Sequence, residues 1–213
     1  MRTRPPFRVV AFDLDGTLIN EKSSWIKIHR HFGTTSEASR NLTLYEKGQI
    51  DYREFMRRDV GLWPKRLHIS EIAHILLRDL AINSHAPRVI SELKWKGYKV
   101  AIVSAGLDIL TERVGSTLEV DIALANGLET DDEGYLTGNG IVRVELSRKE
   151  QALNGLLMQM DLTLKECVCV GDSKYDSTFL QNAGLGVAVN GDNDLAKIAS
   201  LVIKELPELL KFV

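Results

Sequence analysis

Residues Val9–Leu18 read VVAFDLDGTL, and the reading of this stretch decides the fold. It opens as an apolar run, Val9-Val10-Ala11-Phe12, rich in β-branched residues. Gly16 and Thr17 close it. Such a run reads as a strand buried on both faces, which belongs to a parallel sheet. Two carboxylates, Asp13 and Asp15, stand one residue apart at its carboxyl end. Side chains alternate along a strand, so an extended backbone would put both on one side with Leu14 opposite. Open α/β sheets place ligands at the carboxyl ends of their strands. Close like charges raise each other's pKa unless a cation compensates. The stretch therefore points to a hard divalent metal or to a shared proton, and a solvated turn is the plain alternative.

The chain of 213 residues is long enough for one domain with an insertion or for two small domains. A net charge of −2 gives no global reason to expect nucleic acid or an anionic membrane surface as partner. The basic lead-in MRTRPPFR is short and reads as a disordered approach to the first strand. Cys167 and Cys169 share one face of a strand, where a disulfide between them is geometrically poor, so they read as small buried residues. No signal peptide and no apolar run of about 18 residues is visible. The expectation is a soluble cytoplasmic protein, monomer or homodimer.

Outward from the opening strand, residues 20–82 show only helical periodicity. Trp25, Ile28, His29 and Phe32 recur at helical spacing and Gly33 stops them. Ser36–Lys47 forms a second helix, Asp51 caps a third carrying Phe55, Met56 and Val60, and a fourth bears the stripe Ile69, Ile72, Ala73, Leu76, Leu77 and Leu80. This reads as an all-helical cap inserted after the first strand. Pro87 then opens a helix, and strands and helices alternate to the end: Lys99–Ser104, a helix over Leu107–Leu118, Asp121–Ala125, a hairpin within Asn126–Val142, a helix from Ser147, Glu166–Val170, a helix over Tyr175–Asn182, Leu185–Val189, a helix over Asp192–Ala199, Leu201–Ile203 and a last helix over Leu206–Phe212. Alternation of this kind predicts a mainly parallel α/β sheet, a Rossmann-like three-layer core. The expected division is a core of residues 1–19 and 83–213 and a cap of residues 20–82.

Polar residues follow the strands in a regular way. The first strand ends in Asp13-Leu14-Asp15-Gly16-Thr17, the second in Ser104-Ala105-Gly106, and the strand near residue 170 in Gly171-Asp172 with Asp176 beyond. Lys149 stands near the start of the helix before that strand. In a parallel sheet these ends meet on one edge. Carboxylates to hold Mg²⁺, donors for phosphate oxygens and an acidic nucleophile form a phosphoryl-transfer set.

DLDGT, the Ser104 strand end, Lys149 and GDSKYD resemble, in order and spacing, the four motifs of the haloacid dehalogenase superfamily. The helical insertion resembles its C1-type cap. KGQIDYREFMRR, VSAG, the ANGL hairpin and LTGN look most like the phosphoserine phosphatase branch. The resemblance implies a Mg²⁺-dependent phosphatase acting on a small phosphorylated metabolite through an aspartyl-phosphate. Asp13 would be nucleophile and Asp15 acid/base. Mg²⁺ would be held by Asp13, the main-chain carbonyl of Asp15, and Asp172. Thr17 would position the loop, Ser104, Ala105 and Gly106 would bind phosphoryl oxygens, Lys149 would neutralise charge, and Asp176 would orient Lys149 or metal-bound water. A phosphomutase on the same fold and a non-catalytic regulatory module are the alternatives.

The resemblance also places Arg57 where the branch binds its substrate's carboxylate, although Arg53, Arg57 and Arg58 share a helix and would equally suit a solvated basic face. Two residues depart from the branch. Lys22 stands where an acid recognises the substrate amine, and Tyr175 replaces an asparagine. A lysine disfavours an ammonium by like-charge repulsion. The expectation is that phosphoserine is a poor substrate or not the only one, with an organic phosphate carrying a second anionic group as a candidate. His29 lies on an apolar stripe and reads as a packing residue at the cap interface.

Overall fold

The computed structural model describes residues 7–191 and 193–213; the first six residues of the basic lead-in and Asp192 lie outside them. β1 (Val9–Phe12) runs parallel to β2 (Lys99–Leu107) on one side and to β5 (Cys167–Gly171) on the other. With β3 (Ile122–Thr130), β4 (Leu136–Ile141), β6 (Leu185–Val189) and β7 (Leu201–Ile203) these strands form one sheet in the order β4-β3-β2-β1-β5-β6-β7. All pairings are parallel except the β3–β4 hairpin. The sequence therefore placed β1 correctly as a strand covered on both faces.

Alternation along β1 builds two core layers. Val10 and Phe12 enter one layer with Val89, Ile90 and Leu93 of α5 (Ala86–Trp95) and Leu110 and Val114 of α6 (Asp108–Leu118). Val9 and Ala11 enter the other with Leu153 and Leu157 of α7 (Lys149–Met158), Phe179 and Leu180 of α8 (Ser177–Asn182), and Leu195 of α9 (Asn193–Ile198). Cys167 and Cys169 are buried and free in that second layer, with their thiols raised above the ordinary range by burial. One step past Phe12, the same alternation aims Asp13 toward the side of α7, whose first residue is Lys149.

Between β1 and β2 lie α1 (Ser24–Phe32), α2 (Thr35–Glu46), α3 (Tyr52–Val60) and α4 (Ile69–Leu77), with no strand among them. Asp51 caps α3 as expected, accepting from the Glu54 amide at 2.8 Å. The start of α4, which sequence left open, is capped by an unusual residue: His68 Nδ1 accepts from the Ser70 amide at 3.2 Å. The chain leaves and re-enters the sheet region side by side. Ile19 bridges Ile82, Asn20 N donates to Ala81 O at 3.0 Å, and Asn83 N donates to Leu18 O at 2.8 Å.

Some boundaries differ from the sequence reading. β2 continues through Ser104-Ala105-Gly106 to Leu107, and β3 continues into the hairpin. The helix expected from Ser147 starts at Lys149, and the one expected from Tyr175 is preceded by a 3-10 turn at Lys174–Asp176. The last helix is also 3-10, Leu206–Lys211.

Candidate active site

The carboxyl ends of β1, β2 and β5 and the start of α7 converge on one buried cluster. Lys149 Nζ lies 2.7 Å from Asp13 Oδ1 and 2.7 Å from Asp176 Oδ1, and all three side chains are at least 95% buried. The other oxygen of Asp176 accepts from the amides of Asp172 (3.2 Å) and Ser173 (3.0 Å) and from Ser173 Oγ (3.1 Å). Asp176 thus ties the turn after β5 to the lysine that holds Asp13. Asp15 sits just beyond. Its Oδ2 accepts from the amide and hydroxyl of Ser24, at 2.8 and 2.9 Å. Its Oδ1 is buried without a hydrogen-bond partner in the protein.

Backbone shape allows this crowding. Gly16 has φ +82°, and a Cβ there would run into the Asp172 carboxylate. A Cβ on Gly106 would meet Ser24 Oγ and, at 3.2 Å, Asp15 Oδ2. The glycine after β1 therefore permits close approach of the β1 and β5 ends.

Burial dominates the electrostatics. It pushes the Asp13 carboxyl well above the usual carboxylate range against the opposing charge of Lys149. Burial also raises Asp15, opposed by its two Ser24 hydrogen bonds. Burial alone would lower Lys149, but Asp13 and Asp176 outweigh it and hold the ammonium above the ordinary lysine range. Asp172 is raised by burial and partly restored by Lys22, whose Nζ lies 2.6 Å from Asp172 Oδ2.

The cluster fits a hard cation. Ligand oxygens of Asp13, Asp172 and Asp176 lie within 4.8 Å of one another, and Asp172 Oδ1 is buried without a partner. Oxygen-only donors of this kind suit Mg²⁺. Asp176 is already engaged by Lys149 and the Ser173 turn, which leaves Asp13 and Asp172 as the available carboxylates.

The structure gathers Asp13, Asp15, Ser104, Ala105, Gly106 and Lys149 around one cavity, with Asp172 and Asp176 against its floor. Ser104 Oγ accepts from the Gly106 amide at 3.0 Å, which fixes the serine oxygen within the β2 end and leaves its hydroxyl proton free to donate. Thr17 is buried, and its hydroxyl has no protein partner; its backbone, rather than its side chain, shapes the loop, through Thr17 N to Leu14 O at 3.2 Å. Of the two places open to Arg57, a substrate carboxylate or a solvated face, it occupies the second in this structure. Its guanidinium turns outward to Glu54, at 2.7 and 2.8 Å, and borders a separate surface groove with Arg53 and Glu129. An i,i+3 carboxylate on the same exposed helix face captures it locally.

Several residues escaped the sequence reading. Ser24 holds Asp15, although only a helix-start serine near an acid hinted at it. Trp25 Nε1, Tyr52 OH and Asn126 Nδ2 all donate to the Ala105 carbonyl, at 3.1, 3.2 and 2.9 Å. This three-donor knot ties the helical insert to the β2 end. His29 is buried as expected. Its Nδ1 pairs with Thr34 Oγ1 at 2.8 Å, and its Nε2 lies 3.2 Å from Asp59 Oδ2 without hydrogen-bond geometry.

A parallel sheet with this lysine-bridged carboxylate floor at its central strand ends, and a helical insert lining the cavity above, is a Rossmann-like α/β core. The sequence model of the haloacid dehalogenase-like hydrolases matches residues 10–181, and the chain belongs to that family. It is 31% identical over 210 residues to a phosphoserine phosphatase of Methanocaldococcus jannaschii, covering 97% of each chain. It is 30% identical over 193 residues to one of Archaeoglobus fulgidus, covering 90% of this chain and 55% of that relative, so it spans about half the latter's length. Among solved structures, a phospho-aspartyl intermediate analogue of phosphoserine phosphatase superposes with a TM-score of 0.80 at 30% identity, covering 97% of this chain and 99% of that one.

Proposed function

We propose that Asp13 is the nucleophile and Asp15 the acid/base of a phosphatase that hydrolyses a small phosphomonoester through an aspartyl-phosphate. The observation that carries this assignment is the arrangement at the floor. Asp13 is held by a buried ammonium at 2.7 Å, beside an Asp15 whose second oxygen has no protein partner. The Asp13 oxygen not engaged by Lys149 attacks phosphorus as the bond to the leaving oxygen breaks. That oxygen takes its electron pair and receives a proton from Asp15. Asp15, now ionised, removes a proton from water as water attacks the aspartyl-phosphate and releases Asp13 and phosphate. One carboxyl serves both half-reactions, and a raised pKa suits the first of them.

Lys149 neutralises phosphoryl charge while fixing the Asp13 rotamer, and Asp176 fixes Lys149. The Ser104 hydroxyl and the Ala105 amide would face phosphoryl oxygens, with the Gly106 amide holding the Ser104 oxygen in place. Asp13, Asp172 and the Asp15 carbonyl would hold Mg²⁺, which supplies charge neutralisation between the anionic nucleophile and the phosphate. Residues 20–82 act as the cap over residues 1–19 and 83–213; the Ile19–Ile82 bridge, where the two strands of chain cross together, supports that boundary.

We take the enzyme as a cytoplasmic monomer or homodimer acting on a free metabolite, with neither nucleic acid nor membrane as partner. Among the described residues no helix is long and apolar enough to cross a membrane. The test is phosphate release from acetyl phosphate and alkyl phosphates with Mg²⁺, after EDTA, and after re-addition. Hydrolysis that EDTA abolishes and Mg²⁺ restores, with a Tm that rises on Mg²⁺ addition, supports the reading. Transfer to an acceptor sugar phosphate without release would support a mutase, and neither would leave a non-catalytic protein.

A further inference from the structure

Above the floor the cavity encloses about 130 Å³. Its wall comes from the helical insert and is apolar: Trp25, Ile26, Leu42, Tyr52 and Phe55 line it. Phe55 stacks on Tyr45 at 5.4 Å and lies 5.7 Å from the Tyr52 ring, so this side is a fixed aromatic surface. The polar atoms along the wall already have partners within the protein. Trp25 Nε1 and the Tyr52 hydroxyl donate to Ala105 O. Ser39 Oγ donates to Thr35 O at 2.9 Å, and Ser23 Oγ accepts from Ile26 N at 3.2 Å. The Tyr175 hydroxyl donates to Glu46 at 2.8 Å. Asp59, the lining carboxylate outside the floor, accepts from Asn41 at 2.8 Å and faces His29.

We infer that the alcohol part of the substrate is an apolar group carrying no ammonium, packed against Trp25, Leu42 and Phe55. The inference rests on the phosphatase reading above and names its substrate class. An α-amino acid ester would bring an ammonium into this space. No lining carboxylate outside the floor is open to receive it, and Lys22 at the cavity edge repels it. An ion that leaves water without a partner is strongly disfavoured. No arginine lines the cavity among the described residues, because Arg57 is outside it. Outside the floor, a second anionic group would find a single lining cation, the largely exposed Lys22 at the cavity edge, among the described residues. An uncharged hydrocarbon or aromatic alcohol meets none of these obstacles and gains from leaving water.

The experiment compares kcat/KM for benzyl phosphate, O-phosphoserine, O-phosphoethanolamine and acetyl phosphate on the Mg²⁺-loaded enzyme. Benzyl, serine and ethanolamine esters all have unactivated alcohols as leaving groups, so the side chain decides among them. Benzyl phosphate is expected to exceed phosphoserine and phosphoethanolamine by at least about tenfold. Leu42 is half-buried, so Leu42→Ala can fold; it should reduce the benzyl-to-acetyl phosphate ratio by about tenfold. Turnover of phosphoserine equal to or above benzyl phosphate, with acetyl phosphate hydrolysed, overturns the substrate class and leaves the phosphatase reading standing. An unchanged ratio in Leu42→Ala also overturns it. Failure on every ester and on the acyl phosphate overturns the phosphatase reading and the inference with it.

Discussion

At the cavity floor, ionisable side chains from two strand ends and one helix start lie buried and hold one another. In the wall, aromatic rings from the helical insert face the cavity while their polar tips converge on one carbonyl, Ala105 O. The floor keeps charge in a place where charge is costly, through the Lys149 pair of ion pairs at 2.7 Å. The wall removes charge and polarity from the same cavity. The contrast separates two tasks. The floor can act on any phosphoryl group that reaches it, whereas the wall discriminates among the groups attached to it. Substitutions in the floor should therefore abolish chemistry or stability, and substitutions in the wall should change selectivity or stability by less.

The largest expected effect is that of Asp13→Asn. The amide keeps the shape and can still face Lys149, but cannot form the aspartyl-phosphate. Turnover should fall on the order of 10⁴–10⁶-fold, with a near-native circular dichroism spectrum. Residual turnover within tenfold of wild type would move the nucleophile elsewhere and dissolve the floor as defined here. Next is Lys149→Met, which removes the cation and leaves two buried carboxylates facing each other. Breaking a buried pair from one side costs about 3–5 kcal/mol, to be read from urea unfolding. In the double variant with Asp13→Asn the cost should be smaller than the sum by at least about 1 kcal/mol, because the two residues share one interaction. Additivity would show that Lys149 does not hold Asp13 in solution.

A smaller effect is expected in the wall. Tyr52 is buried, and burial pushes its phenol above the ordinary tyrosine range. Tyr52→Phe deletes a hydroxyl that donates to Ala105 O and accepts from Asn126 at 3.2 Å. Trp25 and Asn126 still donate to that carbonyl, so the loss should be about 1 kcal/mol of stability, with kcat for acetyl phosphate within about threefold of wild type. A loss of turnover comparable to that of Asp13→Asn would put Tyr52 in the floor and erase the distinction between the two regions.

The floor was legible in the sequence because its residues follow apolar runs that announce buried strands. Asp13, Ser104 and Asp172 each sit where such a run breaks, and Lys149 stands where α7 begins. A parallel sheet brings strand ends to one edge whatever the loops do, so their convergence needed no knowledge of side-chain packing. The helical insert was legible as helices, including the Asp51 cap. Its inner surface was not. Helical periodicity shows that a residue is buried but not which cavity it faces, so Trp25 was placed only on an apolar stripe and Arg57 was left between the cavity and a solvated basic face. The Arg57 guanidinium follows Glu54, three residues back on the same exposed face, and that local pair wins over a distant ligand. Ser24 was missed because its role depends on where the chain turns after Gly16, a matter of φ rather than of residue pattern.

Ser24 gives the finest test, because it belongs to both regions: it begins α1 of the insert, yet it holds the acid of the floor. Its amide and hydroxyl both donate to Asp15 Oδ2, and both stabilise the ionised carboxylate against burial. Ser24→Ala deletes the hydroxyl and keeps the amide. The carboxylate loses a stabilising partner, the protonated form does not, and the Asp15 pKa rises further. The hydrogen bond lost is worth about 1 kcal/mol net. In the proposed mechanism protonated Asp15 is the form that delivers a proton to the leaving alkoxide. Activity on an alkyl ester therefore declines as pH rises through the Asp15 pKa, and in Ser24→Ala this alkaline limb should move to higher pH. The profile of kcat/KM against pH reports the free enzyme and reads the shift directly. For acetyl phosphate, whose leaving carboxylate needs no proton, the alkaline limb should not move. A shift to lower pH, or an equal shift for both substrates, would show that Ser24 only positions the insert, and the acid would then have to be sought outside Asp15.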